Sequence, residues 1–209
     1  GGEITLGAID EQIRHMISKA AHLHFVIADE YKKNLLKMGE NKKIIYNYGS
    51  LGVEKTLKFL NKNETKKNLV ILTFHPETVY ENFDWKEKFT TIIKALDKFY
   101  YDVIVTAPGF EKNSKKNIFF IKKHLKNKKK FKFVESLGFK NYFSLLNKSK
   151  FVIGNSSSGI IEVPYFRIPT INIGERQKGR FMHKSIINTD FKLNNIVKAI
   201  NKCENKKFI

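Results

Sequence analysis

Residues 68–76 read NLVILTFHP. A continuous apolar run without alternation suits a strand buried on both faces, and this one stops in a histidine and a proline. It reads as a strand of a parallel sheet with polar residues at its carboxyl end. Similar runs recur at 23–28, 43–49, 102–108, 131–135, 150–154 and 169–173. Between them lie stretches with helical spacing. The first covers 8–21, where Ile9, Ile13, Met16, Ile17 and Ala20 repeat on one face. Further helices are expected at 29–38 with Asp29 as cap, and at 52–61, 84–98, 114–126, 139–148, 157–166 and 192–202. Strand and helix alternate throughout, which predicts an α/β fold with a doubly wound parallel sheet. Residues 1–40 read as the tail of one such domain and 41–209 as most of a second. The chain opens without Met, inside what reads as a turn, so an upstream part is expected to be missing.

The formal net charge of +19 raises the question of nucleic acid. Of the 39 basic residues only Arg14, Arg167, Arg176 and Arg180 are arginine, and the lysines are spread along the chain. Sequence-reading sites lean on the planar arginine fork, so the charge reads as compositional bias, and nucleic acid is not expected as a partner. The single cysteine, Cys203, leaves no internal disulfide and no cysteine zinc site. No run approaches the roughly 18 apolar residues of a spanning helix, so no membrane partner is expected, and the lone cysteine fits a reducing cytoplasm.

Residues 154–180 read GNSSSGIIEVPYFRIPTINIGERQKGR. Asn155 and the three serines follow a strand and open a helix, at the strand end where open α/β sheets bind ligands. Gly154 and Gly159 permit close backbone approach. Backbone N–H groups, serine hydroxyls and the helix dipole together suit a phosphate. Glu162, about one turn on, suits a vicinal diol such as a ribose, and Arg176 and Arg180 after the next strand suit a diphosphate. Serines also cap helices without any ligand. It is the acid and the arginines on adjacent strand ends that favour a binding loop. It is not a P-loop, since no Gly-Lys-Ser/Thr follows.

This stretch, with GGEITLGAIDEQIRHMISKAAHLHF (1–25), LGVEKTL (51–57) and LTFHPET (72–78), resembles the hydrolysing UDP-N-acetylglucosamine 2-epimerases of sialic-acid-type sugar synthesis. The resemblance implies a glycosyltransferase-B-like fold, with residues 1–40 the tail of an N-terminal Rossmann-like domain and 41–209 a C-terminal nucleotide-binding one. It implies an active site between the domains, no cofactor, no metal, a UDP-sugar substrate and a homo-oligomer at full length. The family removes the C2 proton, expels UDP from C1 and hydrates the resulting glycal, giving N-acetylmannosamine. Alternatives are a 2-epimerase for UDP- or GDP-N,N'-diacetylbacillosamine, a glycosyltransferase of the same fold, or a chain that only binds nucleotide.

Site roles follow from the matched positions. Asp10 falls on a catalytic carboxylate. Arg14, four residues on, shares its helix face, an arrangement that is also common as a weak surface ion pair. His22 and His24 match a pair implicated in activity; if extended, both would point the same way. His75, Tyr142, Ser156, Ser157, Glu162 and Arg176 match nucleotide-binding positions. One departure bears on the sugar: where an Asn-Ala-Asp-type segment is expected, this chain has Pro108-Gly109-Phe110-Glu111. A further catalytic glutamate is expected upstream of Gly1.

Overall fold

In a computed structural model the described residues are 2–4, 10–61, 63–77, 83–109 and 113–205. Among the described residues the chain forms two parallel sheets. The first has two strands, β1 (His24–Val26) and β2 (Ile45–Asn47), paired His24 to Ile45. Helix α1 (Glu11–Ala20) precedes this sheet, and α2 (Asp29–Lys37) packs on it. Val26, Tyr31, Leu35 and Ile45 form its small core. β2 therefore pairs with β1 and not with the large sheet, so the division between sheets falls between Asn47 and Leu69 rather than at residue 40.

Helix α1 starts at Glu11, and the expected positions 8 and 9 lie outside the described residues. Its helical period holds, yet Ile13, Met16 and Ile17 are exposed, so no described residue covers its apolar stripe. Asp29 does not cap α2. The cap position is Ala28, and the Asp29 carboxylate instead accepts the Asn47 side-chain amide at 2.8 Å. Helix α3 (Leu51–Leu57) leads out of this unit.

The second sheet has six strands: β3 (Leu69–Thr73), β4 (Asp102–Thr106), β5 (Phe131–Val134), β6 (Ser149–Gly154), β7 (Thr170–Ile173) and β8 (Ile186–Thr189). All are parallel, in the spatial order β5-β4-β3-β6-β7-β8. Chain order thus runs outward from β3 to one edge, then returns to β6 and runs to the other. This is the doubly wound pattern, with its switch point between β3 and β6. The sequence reading missed β8, a four-residue edge strand that presents no continuous apolar run.

Alternation along β3 builds two cores. Val70 and Leu72 point to one side, among Phe74, Trp85, Phe89, Ile92, Ile196 and Ile200. That face is covered by α4 (Trp85–Asp97) and α8 (Leu193–Glu204), with α5 (Ser114–Leu125) beside α4. Ile71 points to the other side, with Phe143, Leu146, Val152, Val163 and Phe166, under α6 (Gly138–Lys148). Each fully buried side chain of this size contributes about 1.5–3 kcal/mol. Helix α4 begins where the Asp84 carboxylate accepts the Glu87 N–H at 3.0 Å, a cap worth about 1 kcal/mol. No described helix is long and apolar enough to cross a membrane.

Candidate nucleotide-sugar site

At the switch point, β3 and β6 end side by side at Thr73 and Gly154. Gly154 has φ +135°, and a Cβ there would lie 1.9 Å from the Thr73 carbonyl oxygen. Only glycine allows this approach. The next residue, Asn155, is fully buried and reaches across to the outgoing β3 chain. Its Oδ1 accepts the His75 N–H at 2.8 Å, and its Nδ2 donates to the His75 carbonyl at 2.9 Å. Its own carbonyl accepts Arg176 Nη1 at 3.3 Å and Gln177 Nε2 at 2.8 Å. Three strand ends thus converge on one buried amide.

His75 sits in this cluster. The Gly109 N–H donates to its Nδ1 at 2.9 Å, which leaves the ring proton on Nε2. Burial, and then the nearby Arg176 guanidinium, push its pKa down to about 4, so the ring is neutral near pH 7. The neutral ring is a hydrogen-bond donor through Nε2. At the position where an asparagine was expected, Gly109 supplies a backbone N–H to His75. Phe110 and Glu111 lie outside the described residues.

Beyond Asn155, the Ser156 hydroxyl accepts the Ser158 N–H at 3.4 Å, and Ser157 precedes a single helical turn, α7 (Ser158–Ile161). That turn passes into a 3-10 turn, Val163–Phe166, because Pro164 cannot continue an α-helix. The expected ten-residue helix is therefore split. Glu162 stands at the joint, half-buried, and burial raises its pKa against the pull of the Ser158 side chain. Its Oε2 is enclosed and makes no hydrogen bond among the described residues. The Ser158 hydroxyl bonds the Tyr142 hydroxyl at 2.9 Å, and burial pushes Tyr142 up to about 12. A Cβ on Gly52, in the first turn of α3, would come within 3.8 Å of Glu162 Oε1, so that turn faces the same carboxylate.

The N-terminal candidates form a separate group. Asp10 is largely exposed, and its Oδ2 lies 3.1 Å from Arg14 Nε. The Arg14 guanidinium also approaches Glu3 at 3.5 Å and Glu11 at 3.8 Å. His22 is exposed, whereas His24 is buried with Nε2 3.1 Å from Glu40, which also pairs with Lys19 at 2.8 Å. The two imidazoles do not share an environment. Strand β1 begins only at His24, so the two-residue alternation does not extend back to His22. Arg180 pairs with Glu3 at 2.7 Å and donates to the Gln177 side chain at 2.8 Å. That pair borders a cavity of about 790 Å³ between the two units, lined also by Ile27, Tyr31, Ile160 and Pro164. None of His75, Asn155, Ser156, Ser157, Glu162 and Arg176 lines it.

Sequence reasoning gave no role to Glu77 or Gln177, and it placed Asn155 and Ser158 in the binding loop without their hydrogen bonds to His75 and Tyr142. Their signal was polarity directly after apolar strand runs, where a buried side chain must find hydrogen bonds.

A six-stranded parallel sheet of doubly wound order, with a polar loop cluster at its switch point, defines an α/β domain of the glycosyltransferase-B type. The chain belongs to the UDP-N-acetylglucosamine 2-epimerase family, whose model it matches over residues 1–208. It is 42% identical to the hydrolysing GDP/UDP-N,N'-diacetylbacillosamine 2-epimerase of Campylobacter jejuni, over all of this chain and 56% of that protein. It is 36% identical to polysialic acid biosynthesis protein P7 of Escherichia coli, again over all of this chain and 56% of the relative. The chain thus spans little more than half the length of these relatives. Among solved structures, UDP-GlcNAc 2-epimerase from Neisseria meningitidis bound to UDP-GlcNAc superposes with a TM-score of 0.76 at 14% identity, over 97% of this chain and 58% of that one.

Proposed function

We propose that this chain supplies the nucleotide-binding wall of a hydrolysing nucleotide-sugar 2-epimerase. The observation that carries the reading is Glu162: an enclosed carboxylate oxygen with no hydrogen bond among the described residues, beside Ser158 and Tyr142, at the end of the loop that follows β6. A buried carboxylate gains by accepting hydrogen bonds, and the two hydroxyls of a ribose supply them. Neutral His75, Arg176 and the N–H groups around Ser156 and Ser157 supply donors for the diphosphate. Asp10, with Arg14 beside it, is the proposed catalytic carboxylate, and His22 and His24 are proposed to assist proton transfer. The reaction removes the C2 proton, breaks the C1–O bond to release UDP, and adds water across the resulting double bond, hydroxyl at C1 and proton at C2. The domain assignment is part of the same proposal, with the two-stranded unit as the end of an N-terminal domain and the six-stranded unit as the C-terminal one. The complete protein is proposed to be a cytoplasmic homo-oligomer.

UDP-N-acetylglucosamine is the first substrate to consider. A second reading, N,N'-diacetylbacillosamine linked to UDP or GDP, is favoured by the 42% identity to the Campylobacter enzyme and by Gly109 in place of an asparagine. The complete gene product, incubated with each nucleotide sugar in deuterated water, is expected to release the nucleoside diphosphate together with a free 2-epimerised sugar carrying deuterium at C2. Release of the diphosphate with a free sugar of unchanged C2 configuration would overturn the reading.

A further inference from the structure

The carboxylate of Glu77 is sunk between the ends of β3, β6 and β7, with 3% of the residue exposed. Its Oε1 accepts the backbone N–H of Glu175 at 3.1 Å and of Arg176 at 3.3 Å, and Nδ2 of Asn155 at 3.4 Å. Its Oε2 accepts the Glu175 N–H at 3.2 Å. Burial disfavours the charged form, and these donors pull the other way. Gly174 presses against the same group from the front of the loop. It has φ +80°, and a Cβ there would lie 2.1 Å from Glu77 Oε1. Consecutive backbone N–H groups of one loop thus converge on a carboxylate supplied by another strand end, and the glycine ahead of them makes room for it.

This arrangement fixes the position of Arg176. Its backbone N–H is held by Glu77, while its guanidinium lies against the Asn155 carbonyl and close enough to His75 to depress that ring's pKa. A long flexible side chain is useful for recognising a diphosphate only when its backbone is held still, because the ordering entropy is then already spent. We infer that Glu77 is a positioning residue: its carboxylate clamps the 174–177 loop so that Arg176 is presented to the diphosphate of the bound nucleotide. The inference rests on the reading of this site as a nucleoside-diphosphate site. Glu77 itself touches no ligand in this scheme; it acts through Arg176.

A double-mutant cycle tests it. UDP affinity is measured by calorimetric titration for the wild-type chain, Glu77→Gln, Arg176→Ala and the double variant. Glutamine keeps the size but loses the charge, and it turns an amide donor towards backbone donors. Glu77→Gln is expected to weaken UDP binding about tenfold in the wild-type background and less than twofold when Arg176 is already alanine. An equal loss in both backgrounds would mean that Glu77 merely supports the fold, and unchanged affinity in Glu77→Gln would mean that it does nothing for binding; either overturns the inference. Should Glu77→Gln fail to fold, Glu77→Asp takes its place in the same cycle, with the same readings. A wild-type chain that binds no UDP fails the parent reading of the site, a result distinct from a wild type that binds while the cycle is additive.

Discussion

The side chain of Asn155 pairs with the backbone of His75 as a neighbouring strand would, accepting its N–H at 2.8 Å and donating to its carbonyl at 2.9 Å. Among the described residues the backbone beyond β3 has no sheet partner at this point, and the amide replaces one. Truncation in Asn155→Ala takes the amide partner from both His75 backbone groups and removes one donor from Glu77. Leaving buried polar groups unsatisfied costs about 1–3 kcal/mol each, so a loss of about 3 kcal/mol is expected in urea unfolding of the chain. A loss below about 1 kcal/mol, inside the range of ordinary surface changes, would show that water replaces the amide at little cost.

His75 sets an acid-side limit on stability. Its pKa falls from 6.5 to about 4 in the folded chain, through burial first and Arg176 second. Between those values the unfolded chain binds a proton that the folded chain does not. The contribution is therefore in place above pH 6.5 and is lost as pH falls towards 4, to an extent of about 3 kcal/mol. Urea unfolding at pH 7.5 and 4.5 should show His75→Gln losing less stability over this interval than the wild type. Parallel losses in the two proteins would show that His75 protonates freely in the fold.

The parallel sheet was legible because burial on both faces leaves an unmistakable mark. β3 is apolar without alternation over Leu69–Leu72, as a central strand buried on both faces should be. β8 was not legible, since an edge strand needs only one buried face, and Asn188 and Thr189 lend it no apolar continuity. The loop after β6 was legible as a candidate site from its residue types and position. What could not be read was the pairing inside it. Asn155, Glu77 and Gln177 meet across separations of up to about a hundred residues, and nothing in local pattern encodes which buried polar side chain will find which backbone group. The unequal burial of His22 and His24 escaped for a related reason: alternation applies only inside a strand, and β1 starts between them.

Glu162 should discriminate ribose from deoxyribose. If its enclosed Oε2 accepts the ribose hydroxyls, the wild-type chain should bind UDP about tenfold or more tightly than 2'-deoxy-UDP, since a hydrogen bond to a charged group contributes about 1.5–3 kcal/mol. In Glu162→Gln the preference should shrink to about threefold or less, mainly through weaker UDP binding. Calorimetric titration of both nucleotides against both proteins measures it. A preference that survives the substitution intact would assign the ribose to another residue.

Gly154 and Gly109 give a paired test of how tightly the switch point is built. At Gly154 a methyl group meets the Thr73 carbonyl oxygen at 1.9 Å on a backbone with φ +135°, and the obstacle is backbone in the middle of the sheet. Relief requires β6 to part from β3, which would also pull Asn155 away from His75. Gly154→Ala is therefore expected to cost about 3 kcal/mol or more, or to prevent folding, and to abolish UDP binding in whatever folds. At Gly109 the same methyl group meets, among the described residues, only the His75 ring, at 3.5 Å from Nδ1, an ordinary contact. Gly109→Ala should stay within about 1 kcal/mol of the wild type, because it adds a contact without forcing a shift. Thermal unfolding of the two variants, read with UDP titration, separates them. Equal tolerance at both positions would mean that the strand ends are more loosely joined than the Gly154 geometry requires.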